Sequence, residues 1–214
     1  RLLVNSHYHQ AGNHLYGLGI HRATLCHVLM QKLAEYSSQI NWKMGHGVDQ
    51  IQESTHEVRL IGSYQQQKFD ACFDAVLIAN GARSQLRPKD WVKVDQAYPW
   101  GAAWSIVPEC PVLDSEILHQ FYDRSKIMMG ILPTGAIPSA PQQRLSSIFW
   151  SLPTAQLQSF LKDESAKRQW LKLVSDRWPD VAEWLKQLLA DQQNQPQWLS
   201  AQYRDVMMSQ FGKG

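Results

Sequence analysis

Two short stretches hold the residue types that could do chemistry. In Gly19-Ile20-His21-Arg22-Ala23-Thr24-Leu25, a glycine precedes a helix whose first turn carries an arginine. The helix dipole disfavours a cation there. Arg22 is therefore either a solvated side chain beside ordinary helix-start glycines, or it shares an anion such as a pyrophosphate with the positive helix end. In the second stretch, the apolar run 74–79 reads as a buried strand. It empties into Asn80-Gly81-Ala82-Arg83-Ser84-Gln85-Leu86-Arg87. Ligands of α/β proteins sit beyond the carboxyl ends of parallel strands. A glycine there lets backbone approach a ligand closely, and the two arginines suit an anionic one. The competing reading makes Asn80-Gly81 a type I′ hairpin turn, but residues 82–88 lack the alternating pattern of a returning strand.

No nucleophile with an adjacent base accompanies these stretches, and His119 with Asp123 does not make such a pair. No catalytic residue is assigned. His7-x-His9 could chelate a metal, yet no third ligand has acceptable spacing, so these read as ordinary loop histidines and no metal is expected. Cys26, Cys72 and Cys110 are scattered, without a C-x-x-C, and read as reduced thiols.

The elements that must position the two stretches follow from periodicity. A helix over 21–36 places Leu25, Val28, Leu29, Leu33 and Tyr36 on one face. Short strands are expected at 40–44, 48–52 and 57–61, forming a small antiparallel element before the strand at 74–79 returns to a parallel sheet. Runs at 98–107, 126–132 and 145–152 read as an antiparallel sheet, with one face packed and one available. Trp100, Trp104, Met128, Phe149 and Trp150 would supply its apolar surface, either as core or as the lining of a pocket. From Thr154 the period turns helical, with Leu157, Phe160, Leu161, Trp170, Leu171 and Val174 in one stripe, interrupted near Glu164. Another helix starts near Pro179, burying Val181, Trp184, Leu185, Leu188 and Leu189. Residues 203–209 close the chain as a strand.

Composition sets the outer bounds. With 214 residues, 44% of them hydrophobic, the chain can bury a substantial core and form one or two domains. Its net charge of +2 leaves 21 basic and 19 acidic side chains nearly balanced, which argues against nucleic acid as a partner. No apolar run approaches a membrane span, and no signal peptide is visible.

Together and in this order, the two stretches resemble the FAD-dependent aromatic hydroxylases, the p-hydroxybenzoate-hydroxylase-like flavin monooxygenases. Members carry a G-hydrophobic-x-R-x-x-L helix start and later a strand ending A-D-G-x-x-S-x-x-R. The pieces Tyr98-Pro-Trp-Gly-Ala-Ala-Trp104, Gly130-Ile-Leu-Pro-Thr-Gly135 and Phe149-Trp-Ser-Leu-Pro153 look like the family's substrate-domain strands. The resemblance implies an α/β (mixed α+β) fold: a partial FAD-binding three-layer α/β domain over 1–94, and an antiparallel substrate-domain sheet over 95–153. Residues 154–214 supply helices that cover this sheet and a strand returning towards the FAD domain. It implies that Arg22 contacts the FAD phosphate or ribose and that the backbone at Val48 touches adenine. Asn80 and Gly81 would lie where FAD meets a nicotinamide cofactor. Asn80 stands where the family has an acid. The amide still accepts a hydrogen bond from a ribose hydroxyl but adds no charge.

The activity so implied is that of a cytoplasmic FAD-dependent monooxygenase acting on an aromatic or hydrophobic small molecule. Trp104 would be near the substrate and NAD(P)H a candidate electron donor. In such enzymes the cofactor carries the reaction, while the protein orients the substrate and excludes water. The alternatives are a flavin-dependent dehydrogenase, reductase or halogenase of the same fold, and a non-catalytic small-molecule or protein-binding module. The sequence contains no G-x-G-x-x-G, begins at Arg1 in a strand-like run and ends without the family's second, Gly-Asp flavin segment. It reads as an internal fragment that is inactive and holds FAD only weakly by itself.

Overall fold

The structure is a computed structural model that describes residues 4–124 and 127–213. The strand read at 1–4 lies, apart from Val4, outside the described residues, as does Lys126 of the run at 126–132. The fold is mixed α/β with antiparallel sheets. The chain divides into two compact units, one of residues 1–32 and 100–201, the other of 33–99 and 202–214.

The first unit is organised by strands of alternating apolar pattern. They are β4 (Val92–Pro108, from Trp100 onward), β5 (His119–Asp123), β6 (Ile127–Ile137) and β7 (Ala140–Pro153). With β8 (Leu199–Met208) they form one sheet in the order β5-β6-β7-β4-β8. The register places Trp104 opposite Phe149 and Phe149 opposite Gly130. Successive side chains point to opposite faces, so the sheet has two distinct surfaces. One carries Ala103, Val107, Met129, Ile131, Ile148, Trp150 and Leu152, all buried. Three helices supply the rest of that core: α2 (Thr154–Lys162), α3 (Glu164–Ser175) and α4 (Pro179–Ala190). Leu157, Phe160, Trp170, Val174, Val181, Trp184, Leu185 and Leu188 are their buried contributions. Trp170 sits at the centre of an aromatic group, edge-on to Phe160 at 5.9 Å and to Trp198 at 5.2 Å. The break between α2 and α3 has a local cause: the Asp163 carboxylate accepts the Ser165 N–H at 2.7 Å and caps the new helix. Hydrogen bonds from the Ser165 hydroxyl and N–H hold that carboxyl below its ordinary range.

The second unit is built on an antiparallel meander of β1 (Gly47–Glu53), β2 (Val58–Tyr64) and β3 (Gln67–Phe73). The expected strands at 48–52 and 57–61 are β1 and β2. Residues 40–44 form no strand, and β3 was not anticipated. The β2–β3 turn explains the omission. Gln65 and Gln66 both adopt positive φ (48° and 67°), a two-residue hairpin conformation that usually calls for asparagine or glycine.

Two further expectations are corrected. Residues 74–79 are not a strand, and Leu77 is 97% exposed. An apolar run becomes a strand only when a neighbour takes its N–H and C=O groups, and no described strand pairs with this one. The first helix, α1 (Arg22–Ala34), begins as expected, but none of its residues is buried. Leu25, Val28 and Leu29 face solvent because nothing described covers them.

Candidate functional site

Of the residues singled out for chemistry, Arg22 and Trp104 fall in the first unit, and Val48, Asn80 and Gly81 in the second.

Arg22 opens α1 with its side chain exposed. The segment before it is fastened to β6. The His21 N–H donates to the Thr134 carbonyl at 3.0 Å, and the Thr24 hydroxyl donates to the Ala136 carbonyl at 2.9 Å. Gly19 lies so close to the Pro133 carbonyl that a Cβ would overlap it. That glycine is therefore required by packing on β6, whatever Arg22 binds. The imidazole of His21 caps the helix start, its Nδ1 accepting the Ala23 N–H at 3.1 Å.

Trp104 occupies the surface of the five-stranded sheet that α2–α4 do not cover. Ile106, Met128, Leu132 and Phe149 share it by register. All five are half-buried, in contrast to the sealed opposite face. Gly19 borders this open face, since its Cβ position is 3.3 Å from a Leu132 methyl. Ile106 and Leu132 were not singled out from sequence. Their signal was the alternation with buried Ser105, Val107 and Ile131, readable only once the strands are registered.

In the second unit, Val48 is half-buried in β1 beside a bulge, its partner Gly62 being followed by a register shift at Gln50. His46 stacks on Tyr64 at 4.3 Å and meets Phe69 at 5.2 Å, an aromatic cluster that was not foreseen. Asn80 and Gly81 are exposed; Gly81 has φ +90°, and a Cβ there would meet nothing within 4 Å. Only glycine takes this conformation without strain.

The arginines beyond Gly81 make contacts within the folded chain. Arg87 pairs with Asp95 at 3.0 Å and donates to the Ala82 carbonyl at 2.7 Å, closing the loop on itself. Arg83 reaches Gln202 at 3.5 Å. Arg204 of β8 also holds Asp95, and this hydrogen bond, with the charges of Arg204 and Arg87, lowers the Asp95 carboxyl below its ordinary range. A loop arginine next to an acid in the folded chain is a structural clamp as readily as an anion ligand.

Among the described residues no three His, Cys, Asp or Glu side chains come together to hold a metal. His7 and His9 stack on each other at 5.0 Å. Cys26 and Cys72 are exposed thiols, and Cys110 is buried, which pushes its thiol pKa up. No described helix is long and apolar enough to cross a membrane.

The sequence matches no protein-family model and no curated protein. Solved structures do share its fold. The flavin-dependent halogenase CmlS matches with TM-score 0.61 at 14% identity, over 89% of this chain and 32% of its own. Tetracycline destructase Tet(55) matches with TM-score 0.50 at 14% identity, over 87% of this chain and 46% of its own. Tetracycline destructase Tet(51) gives TM-score 0.49 at 16% identity, over 87% and 47%. The chain thus spans less than half the length of each of these structures.

Proposed function

We propose that this chain forms part of an FAD-dependent oxidoreductase, a monooxygenase acting on an uncharged aromatic or hydrophobic small molecule. The observation that carries the reading is the two-faced sheet. One surface is sealed by helices, and the other presents Trp104, Phe149, Met128, Leu132 and Ile106 half-exposed. A strand surface this apolar, left open beside a packed core, is what a substrate floor requires. The fold shared with a flavin-dependent halogenase supports the cofactor assignment.

Taken one by one within their own units, the residues singled out suit parts of a dinucleotide. Arg22 offers an exposed guanidinium at a helix start for a phosphate. Gly81 leaves open space at a positive φ, where backbone can meet a ligand closely. Asn80 can accept a ribose hydroxyl with NAD(P)H as electron donor, and Val48 can present its backbone to adenine. In this reading 1–94 belongs to the FAD-binding domain and 95–153 to the substrate sheet, while 154–214 supplies the helices that cover it and a strand returning towards the FAD domain. FAD, when bound, supplies the redox chemistry. The chain's own side chains orient the substrate and exclude water.

In FAD-loaded protein carrying these residues, Arg22→Ala weakens flavin affinity by about 1.5–3 kcal/mol, the worth of a charge-assisted contact. A variant that binds flavin like the parent while losing stability would make Arg22 structural. Halogenation is the second reading, favoured by the likeness to CmlS. Product analysis with and without halide separates it from hydroxylation.

A further inference from the structure

The strand glycines differ in what a side chain would meet. At Gly62 and Gly101 an added Cβ collides with a backbone carbonyl oxygen, of Gly47 and Ala201. At Gly130 the three nearest atoms are Cζ, Cε1 and Cε2 of Phe149, the far edge of a ring. Phe149 is therefore laid across β6, in the volume that a side chain at 130 would fill. Trp104, its partner on the other side, is directly opposite in register. Residues 100–108, 128–132 and 145–151, which build the middle of this face, contain no ionisable side chain. An ionic ligand would lose its hydration there without gaining a countercharge.

We propose that Gly130 is the specificity-determining position of the open face. By admitting the Phe149 ring it keeps the floor flat between Trp104 and β6, shaped for a planar, uncharged ring system. The proposal rests on the reading of this face as the substrate surface. It also separates folding from specificity: the obstacle at Gly130 is the tip of a side chain that can swing, so Gly130→Ala folds with the ring displaced into the floor.

The test is calorimetric binding of two neutral probes, planar 2-naphthol and compact 1-adamantanol, to the full chain and to Gly130→Ala, Phe149→Leu and Trp104→Ala. The parent is expected to prefer 2-naphthol. Gly130→Ala loses about tenfold in affinity for it, the scale set by a lost aromatic contact, and holds 1-adamantanol unchanged. Phe149→Leu, which adds no crowding, loses the same preference. If both variants keep the parent's preference while Trp104→Ala weakens both probes, the role of Gly130 is overturned and the open face stands. If the parent binds neither probe, or Trp104→Ala changes nothing, the reading of the face fails and the proposal with it.

Discussion

The two units of this chain bury their residues very differently. Residues 1–32 and 100–201 contain a core in which Met129, Ile148, Leu157, Val174 and Leu185 are fully enclosed between a sheet face and three helices. Among the described residues of 33–99 and 202–214, only Gly62 is buried, while Trp42, Met44, Leu77 and Ile78 are exposed. The first unit is held by apolar area removed from water. The second relies on ladder hydrogen bonds, a closed loop and ion pairs around Asp95. Where a core exists, an apolar surface left outside it, such as the one around Trp104, is distinct from that core. Where none exists, an exposed leucine says nothing about function.

The sharpest way to break this contrast is by truncation. Leu185→Ala in the first unit should cost about 2–5 kcal/mol in urea unfolding, because the helix and the sheet cannot collapse into the void. Phe69→Ala, at a half-buried position of the mostly exposed β3, should cost well under half of that. Equal losses would show that the second unit has a core as real as the first. A smaller effect is expected from Gly62→Ala, whose Cβ meets the Gly47 carbonyl. It should destabilise the β1–β2 pairing by about 1–3 kcal/mol, as overpacking does, and raise amide exchange in β1 and β2 only. Exchange that rises also in β6 and β7 would mean that the units do not respond separately.

Smallest is the pH effect at Asp95. Its carboxyl is held low by Arg204 and then by Arg87, so its contribution is fully present above the ordinary carboxylate range. That contribution is lost as pH falls through the depressed value. Acid should loosen the 81–95 loop and the end of β8, and Asp95→Asn should show this loosening at neutral pH already. Loop amide shifts in the variant that match the parent's at neutral pH would remove Asp95 from the account.

How much of this was legible depended on whether a residue's role is local. The stripe Leu157, Phe160, Trp170 and Val174 announced its helices, because each position repeats the same burial. The pattern at 98–107 and 145–152 likewise gave two strands of the central sheet. Gln65-Gln66 hid a hairpin, because no glycine or asparagine marked its left-handed turn. The apolar run at 74–79 pointed to a strand, but no described strand pairs with it and it forms none. Arg87 looked like an anion ligand until Asp95 was brought against it. Gly130 was invisible as a shaping residue, since its meaning lies in a side chain opposite it in register. Residues whose role is set by a distant partner do not declare it in their own neighbourhood.

The central claim is that the face bearing Trp104 binds a neutral ring, and nuclear magnetic resonance of the chain titrated with 2-naphthol tests it most directly. The account predicts shifts of the Trp104 indole N–H and of the Ile106, Met128 and Leu132 methyls, while Ile148 and Leu185 beneath the helices stay in place. Shifts confined to the helix-covered side, or none at saturating ligand, would contradict it.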